Sequence, residues 1–449
     1  MGTVAVVEAV KTGGGEDDSG TDRWGLPTRV VFRFCFVYFA LYCLGISQML
    51  RGPLGLAGRD LAPEDLDWPR AIVEWVGPHV FGVDAQWRLV GGGDTTYDWV
   101  LVGTFLIAAV AITAVWSVLD RRRDGYPRLY AWLRLVLRLG LAGQMFLYGM
   151  EKVFPIQMWV PLDRLLQPLG DLSPAGIMWA QVGASQPYEI LLGCAEVAGG
   201  LLLLVPRTVM AGALLSAVAM GQVFLLDMAY DVPVKLHSFH LLLIALVLLG
   251  PDYSKLLGFF TGRAVRTAPR RPLFSSRRGA AVASALAAAV GLWMLGSHSY
   301  DAGTTWRSLV DAPKTVPLYG IWNVEEFTRD GVPQPPLVTD AERWRHIVFE
   351  LPGTATVVRM DDSREVYAVT VEEGTRTVTL MLPGAPDRTV PLRFEQPGPD
   401  RLILDGQGMH MSATRIDPDS FALRRGGFHW VQNEDGHPLF PVPAASGAR

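Results

Sequence analysis

The sequence predicts a membrane α-helical bundle of about seven spans followed by a small antiparallel β barrel or sandwich, and three observations lead there. The 449-residue chain is half hydrophobic, with a mean hydropathy of +0.23, high for a water-soluble protein of this size. Its first two thirds hold seven strongly apolar stretches, the longest matching the roughly 20 residues needed to cross a hydrocarbon core of about 30 Å. Beyond residue 306 these give way to short alternating segments separated by turns, the spacing of strands in a small β domain.

Residues 1–28 read as a polar tail. Their run Lys11-Thr12-Gly13-Gly14-Gly15-Glu16-Asp17-Asp18-Ser19-Gly20 has little apolar surface to bury, so disorder is expected. Arg29–Leu50 is the first span, too long and too far into the chain for a cleaved signal peptide. The connection Arg51–Tyr97 holds an amphipathic piece, Trp68–Val83, and the run Gly91-Gly92-Gly93-Asp94-Thr95-Thr96. No strand precedes that run and no Gly-Lys-Ser/Thr follows it. A tight turn is expected there, with Asp94 or Thr95 capping the next helix, rather than a phosphate loop.

Asp98–Leu119 is the second span and completes a two-helix extension over residues 29–128. A four-helix core over residues 129–260 follows. Its first helix, Leu129–Met150, ends in Tyr148-Gly149-Met150-Glu151-Lys152. A Trp- and Pro-containing connection, Val153–Pro187, reads as an interfacial cap. Tyr188–Val205, Val209–Met228 and Phe239–Gly250 are the fourth to sixth spans, and residues 261–305 give a basic loop and a seventh span, Gly279–Gly296. Arginines cluster before span one and after spans two, four and six. The positive-inside rule then puts the N-terminus in the cytoplasm and residues 306–449 outside. Strands are expected at Arg345–Glu350, Ala355–Arg359, Glu365–Val371, Arg376–Leu382, Thr389–Phe394, Arg401–Leu404 and Met409–Thr414. The opening Gly320-Ile321-Trp322 resembles the Gly-x-Trp that begins lipocalin-type barrels.

A net charge of −4 gives no reason to expect a nucleic-acid partner. Cys35, Cys43 and Cys194 lie in apolar segments without a C-x-x-C spacing, which argues against thiol exchange or a zinc knuckle. Chemistry is expected instead around the short turn between the fifth and sixth spans, which holds Tyr230, Asp231, Lys235, His237 and His240. Ionisable groups where membrane helices meet are costly and more often functional. Glu189 and Glu196 share one helix face about 10 Å apart, and Gln144, Tyr148 and Glu151 share a face of the third span. With Lys152 these converge on one expected extracytoplasmic pocket. Glu196, His240 and Lys235 are its expected catalytic groups, and Glu151, Lys152, Glu189, Tyr230, Asp231 and His237 its ligand-binding groups. Two readings stand for Glu151–Lys152 and Asp231–Lys235, as pocket groups or as interfacial pairs. His237 and His240 have no third ligand nearby in sequence, so no metal is expected.

The motifs Gly149-Met150-Glu151-Lys152, Ala195-Glu196-Val197-Ala198-Gly199-Gly200-Leu201-Leu202-Leu203, Pro206-Arg207-Thr208 and Tyr230-Asp231-Val232-Pro233-Val234-Lys235 resemble the DoxX family of bacterial and archaeal membrane proteins. The resemblance covers about Leu129–Phe260. It implies a place in the bacterial cytoplasmic membrane and a component of a membrane redox system. A more distant similarity to the transmembrane domain of vitamin K-dependent carboxylases makes a quinone the implied ligand. Membrane lipid and a redox partner protein are the implied partners; no haem, flavin or iron–sulfur motif is visible. The rival expectation is a non-catalytic anchor or assembly protein whose β domain binds an exported partner or lipophilic ligand.

Overall fold

The computed structural model describes residues 23–58, 68–88, 92–263, 276–382 and 384–425. Of the tail expected to be disordered at residues 1–28, residues 1–22 lie outside the described residues, as does part of the basic loop at residues 264–275, whereas Leu26, Pro27 and Thr28 already belong to a helix. The rest falls into two compact units. One holds the residues up to 159 together with Leu169–Ser308; the other holds Val160–Pro168 and the residues from 309 onward.

The first unit is helical. Its helices are α1 (Leu26–Gly45), α2 (Ser47–Leu54), α3 (Arg70–Val76, continued by a wide π-helical turn to Phe81), α4 (Thr96–Leu119), α5 (Pro127–Val153), α6 (Pro174–Gly183), α7 (Gln186–Leu204), α8 (Val209–Ala229), α9 (Lys235–Leu249), α10 (Tyr253–Thr261) and, as far as Ser308, α11 (Arg277–Thr315). Among the described residues, six segments are long and apolar enough to span a membrane: α1, α4, α7, α8, α9 with its continuation to Phe259, and α11. This is the multi-pass architecture expected. The remaining expected span, Leu129–Met150, is helix α5, and its arginines, Gln144, Glu151 and Lys152 keep its hydropathy below the other six. Those groups are tolerated because α5 packs against α1, α2, α7 and α9, burying Leu133, Leu137, Leu141, Gln144, Met145, Phe146 and Lys152. The first expected span is broken at Ile46, and the seventh runs on well beyond Gly296 as one helix.

The second unit is a closed barrel. Strands β1 (Gly320–Arg329), β3 (Trp344–Phe349), β4 (Thr354–Arg359), β5 (Arg364–Glu372), β6 (Thr377–Leu382), β7 (Ala385–Gly398), β8 (Arg401–Gly406) and β9 (Met409–Ile416) pair antiparallel in sequence order. β1 meets β9, from Ile321–Ile416 to Arg329–Met409, and β2 (Val332–Pro333) adds a short hairpin. The expected alternatives of barrel and sandwich resolve to a barrel. Eight strands leave an interior that side chains fill. Here Trp322, Phe327, Phe349, Val357, Leu392, Phe394, Leu402 and Met411 fill it. The buried Arg343 guanidinium donates to the carbonyls of Gln334, Trp344, Val324 and Glu325. On the outer face, Leu162 packs against Ile321 and Val348, and its amide donates to Glu350 Oε2 at 2.8 Å.

Candidate functional site

The turn between α8 and α9 is held by a segment far away in sequence. Asp94 accepts from the Lys235 amide at 2.8 Å and the Leu236 amide at 2.9 Å, with Lys235 Nζ at 3.7 Å. The first backbone N–H groups of a helix have no partner within it, and a carboxylate there also meets the positive end of the helix dipole. Asp94 therefore caps α9, not the helix it precedes. That helix, α4, has its own capping box, Thr95 with Asp98. The glycine run earns its composition at this contact: Gly93 N–H donates to Pro233 O at 2.7 Å, and a Cβ on Gly92 would lie 2.7 Å from that oxygen.

With its start fixed, α9 presents two imidazoles to α1 and α5. His240 Nδ1 lies 2.6 Å from the Leu236 carbonyl, which only accepts, so Nδ1 carries the hydrogen. The Tyr38 hydroxyl, 2.6 Å from Nε2, then donates to it. His237 has the mirror arrangement. Gln144 places its amide nitrogen 2.8 Å from Gln48 O, leaving its oxygen to accept from His237 Nε2 at 3.2 Å. The Tyr42 hydroxyl donates to His237 Nδ1 at 3.1 Å. The Tyr42 ring also stacks on His240, with centroids 4.2 Å apart. Tyr38 and Tyr42, four residues apart on α1, thus face His237 and His240, three apart on α9. Both imidazoles are buried, and every ring nitrogen has a hydrogen-bond partner. Among the described residues no group of three His, Cys, Asp or Glu side chains suits a metal ion.

A cavity of about 200 Å³ opens beside this pair. Tyr42, Gln48, Arg51, Asp98 and His237 give it a polar side, and Ile46, Leu101 and Val102 an apolar one. Gly92, Gly93 and Thr95 of the capping loop close a third side. Of the nine expected site residues, only His237 lines it.

The other eight do not share that cavity, which corrects the expectation of one convergent pocket. Lys152 Nζ donates to both Glu196 oxygens at 2.8 Å, and both side chains are buried. Neither Arg134 nor Arg138 reaches Glu196; they approach the carbonyls of Leu248 and Leu204. The ion pair forms because α5 and α7 cross at glycines: a Cβ on Gly193 would lie 2.6 Å from Gly149 O and 2.8 Å from Lys152 Cβ. Glu189 accepts from the Met158 amide at 3.0 Å, tying down the α5–α6 connection. Glu151 is half-buried at the end of α5, within electrostatic reach of Lys152, Glu196 and Asp301. Tyr230 packs against the apolar cluster of Met158, Met178, Val182 and Val232. Asp231 lies on the surface, 2.8 Å from Lys235 Nζ, and that ammonium holds its carboxyl below the usual range. Lys235 bridges Asp231 and Asp94, and His240 stacks on Tyr42 without lining the cavity.

Sequence reasoning missed Tyr38, Tyr42, Gln48 and Arg51 because they precede the stretch that carries the family resemblance. The signal available was the i, i+4 tyrosine pair inside an apolar span. It also missed Asp227, a buried acid near the end of an otherwise apolar helix.

The chain is 31% identical over 132 residues to the uncharacterized protein YwoB of Bacillus subtilis (strain 168), an alignment covering 27% of this chain and 79% of that protein. No family model matches the chain, and no solved structure is significantly similar to it.

Proposed function

From the premise that this chain belongs to the same family as the Bacillus subtilis protein YwoB, we propose that it is a DoxX-like component of a membrane redox system that binds a quinone-type head group. The observation that carries this reading is the His237–Tyr42 pair at the wall of a cavity with one polar and one apolar side. Amphiphile sites have this character: mostly apolar walls and a few placed polar groups that fix orientation. A quinone's carbonyl oxygens only accept hydrogen bonds, and the Arg51 guanidinium on the polar wall is a donor of the type they need.

Quinone reduction takes up two electrons and two protons, the electrons coming from a redox partner protein. In this reading Tyr42, which donates to His237 Nδ1, would hold that imidazole at the wall where the head group docks, and the two protons would come from water. His240 and Asp94 are positioning residues: one stacks on Tyr42, the other fixes the first turn of α9. In this reading Glu196, expected as catalytic, and Lys152, expected as ligand-binding, belong instead to the bundle's framework. The Arg121–Arg123, Arg207 and Arg263–Arg278 connections support a cytoplasmic N-terminus and an extracytoplasmic barrel in the bacterial inner membrane.

The test is organic extraction of protein purified in mild detergent from quinone-containing membranes, followed by absorbance and mass spectrometry. A quinone in near-equal amount with the protein, lost in His237→Ala, supports the proposal. No quinone in the parent protein, or an undiminished amount in the variant, contradicts it. One observation favours a second reading, a lipophilic ligand of the barrel: an apolar cavity of about 230 Å³ lined by Val316, Phe349, Leu351, Val369 and Val371. The same extraction would then return a lipid other than quinone, unaffected by His237→Ala.

A further inference from the structure

Residues 68–83, on the connection between α2 and α4, have no part in the site described above. Trp68, Ile72, Trp75, Val80, Phe81 and Val83 are each 38–59% exposed there. Ile72 and Trp75 of α3 lie three apart on one helix face. His79 follows four residues on, its ring stacked on Trp75 with centroids 4.6 Å apart. The charged groups of α3 turn to the protein instead. Glu74 accepts from Arg70 Nε at 3.0 Å and from the Trp87 amide at 3.4 Å, and the Arg70 guanidinium lies 4.9 Å from the Trp87 ring centre. A helix against water keeps its polar residues outside and its apolar stripe on the core. Here the outer stripe is apolar, an arrangement that suits an apolar medium.

Two contacts tie the segment to the flanks of adjacent spans. The Phe81 ring covers Gly103 of α4, where a Cβ would lie 3.0 Å from its Cζ. Gly103 is seven residues, about 10 Å, into α4. Trp99, Leu106, Ile107 and Val110 share its helix face by their spacing, and all four are exposed. Phe81 therefore lies on the stripe that this span turns to lipid. At the other end, the Trp68 indole N–H donates to the Leu44 carbonyl at 2.7 Å. Leu44 is in the last turn of α1, whose carbonyls have no partner within the helix. In water either group could be left to solvent; away from water each needs the other.

We propose that residues 68–83 are a membrane-inserted, non-spanning element whose exposed apolar face meets lipid acyl chains. Trp87, tied to the element through Glu74, also lines the cavity beside His237. No ligand in that cavity is needed for the lipid contact, which stands or falls apart from the proposed function.

Spin labels read the contact directly. The full-length protein, with Cys35→Ala, Cys43→Ala and Cys194→Ala, carries one label at Ile72→Cys or Val80→Cys and is reconstituted into phosphatidylethanolamine–phosphatidylglycerol vesicles. Both side chains are about half exposed, so their replacement should leave the fold intact. Val110→Cys on the outer stripe of α4 and Glu373→Cys in an exposed barrel turn give the two reference states. Labels at both test positions should be relaxed by oxygen in preference to a water-soluble nickel chelate, as at Val110→Cys. A preference for nickel at either position, as at Glu373→Cys, puts the segment in water and overturns the proposal. So does a label shielded from both reagents, which would mean that a protein surface and not lipid covers the face.

Discussion

The two units of the chain solve burial in opposite ways. The barrel buries a nearly unbroken apolar interior, Trp322, Phe349, Leu392 and Met411 among its members. Its buried Arg343 is answered by backbone carbonyls. The helical unit buries Lys152, Glu189, Glu196, Asp227, His237 and His240 between its spans. Most of these are satisfied by a group from another helix or a distant loop. A buried polar group costs stability unless it is paired, and here the pairing runs between helices rather than within one sheet. The difference teaches where to look for function. Under the proposed function the barrel is the stable fold and the bundle the site.

That contrast can be broken, and the largest effects come first. Glu196→Gln leaves the Lys152 ammonium buried and uncompensated, and should cost about 3–5 kcal/mol in thermal or denaturant unfolding. Replacing both partners, as Lys152→Met with Glu196→Leu, should recover most of the loss. In the barrel, Leu392→Ala at a fully buried position should cost about 2–5 kcal/mol through the cavity alone, and no second substitution of charge should rescue it. Equal rescue in both units would erase the distinction.

Next in size is the long-range cap. Asp94→Ala should destabilise α9 by about 1–2 kcal/mol and speed hydrogen exchange at the Lys235 and Leu236 amides, while Asp94→Asn should retain most of the protection. Exchange that does not change in Asp94→Ala would detach the loop from the histidine helix. Tyr38→Phe removes one buried hydrogen bond and leaves His240 Nε2 without its donor, a loss of about 1 kcal/mol. An unchanged midpoint would mean that Tyr38 and His240 do not meet.

The smallest expected effect sharpens the barrel side. Burial pushes the His346 imidazole on β3 down to about 4 from an ordinary value of 6.5. The folded barrel then binds fewer protons than the unfolded chain between these values. Its stability should be level above about pH 6.5 and fall as pH drops toward 4. Hydrogen exchange of β3 peptides should show the fall, and His346→Gln should flatten it.

Much of the fold is legible in the sequence because hydropathy and alternation are local properties. Most apolar stretches and strand segments stand within a few residues of the observed elements; the last helix, which runs on to Thr315, and strand β1 do not. What the sequence hides is pairing at long range. Asp94 looks like the cap of the helix beside it until Pro233 and Lys235 are seen against it, 141 residues away. Glu196 looks like a lone membrane carboxylate until glycines at 149 and 193 let Lys152 reach it. Tyr42 is unremarkable in an apolar span, and gains its meaning only from His237 and the cavity beside both.

The most direct test of the central claim, that the ligand site lies at the His237–Tyr42 cavity and not at the buried ion pair, is a quinone-binding titration on two variants in parallel. His237→Ala should lose binding by at least tenfold, while the Lys152→Met, Glu196→Leu protein should bind as the parent does. Loss of binding in the ion-pair variant with His237→Ala unaffected would contradict the account and return the site to Glu196.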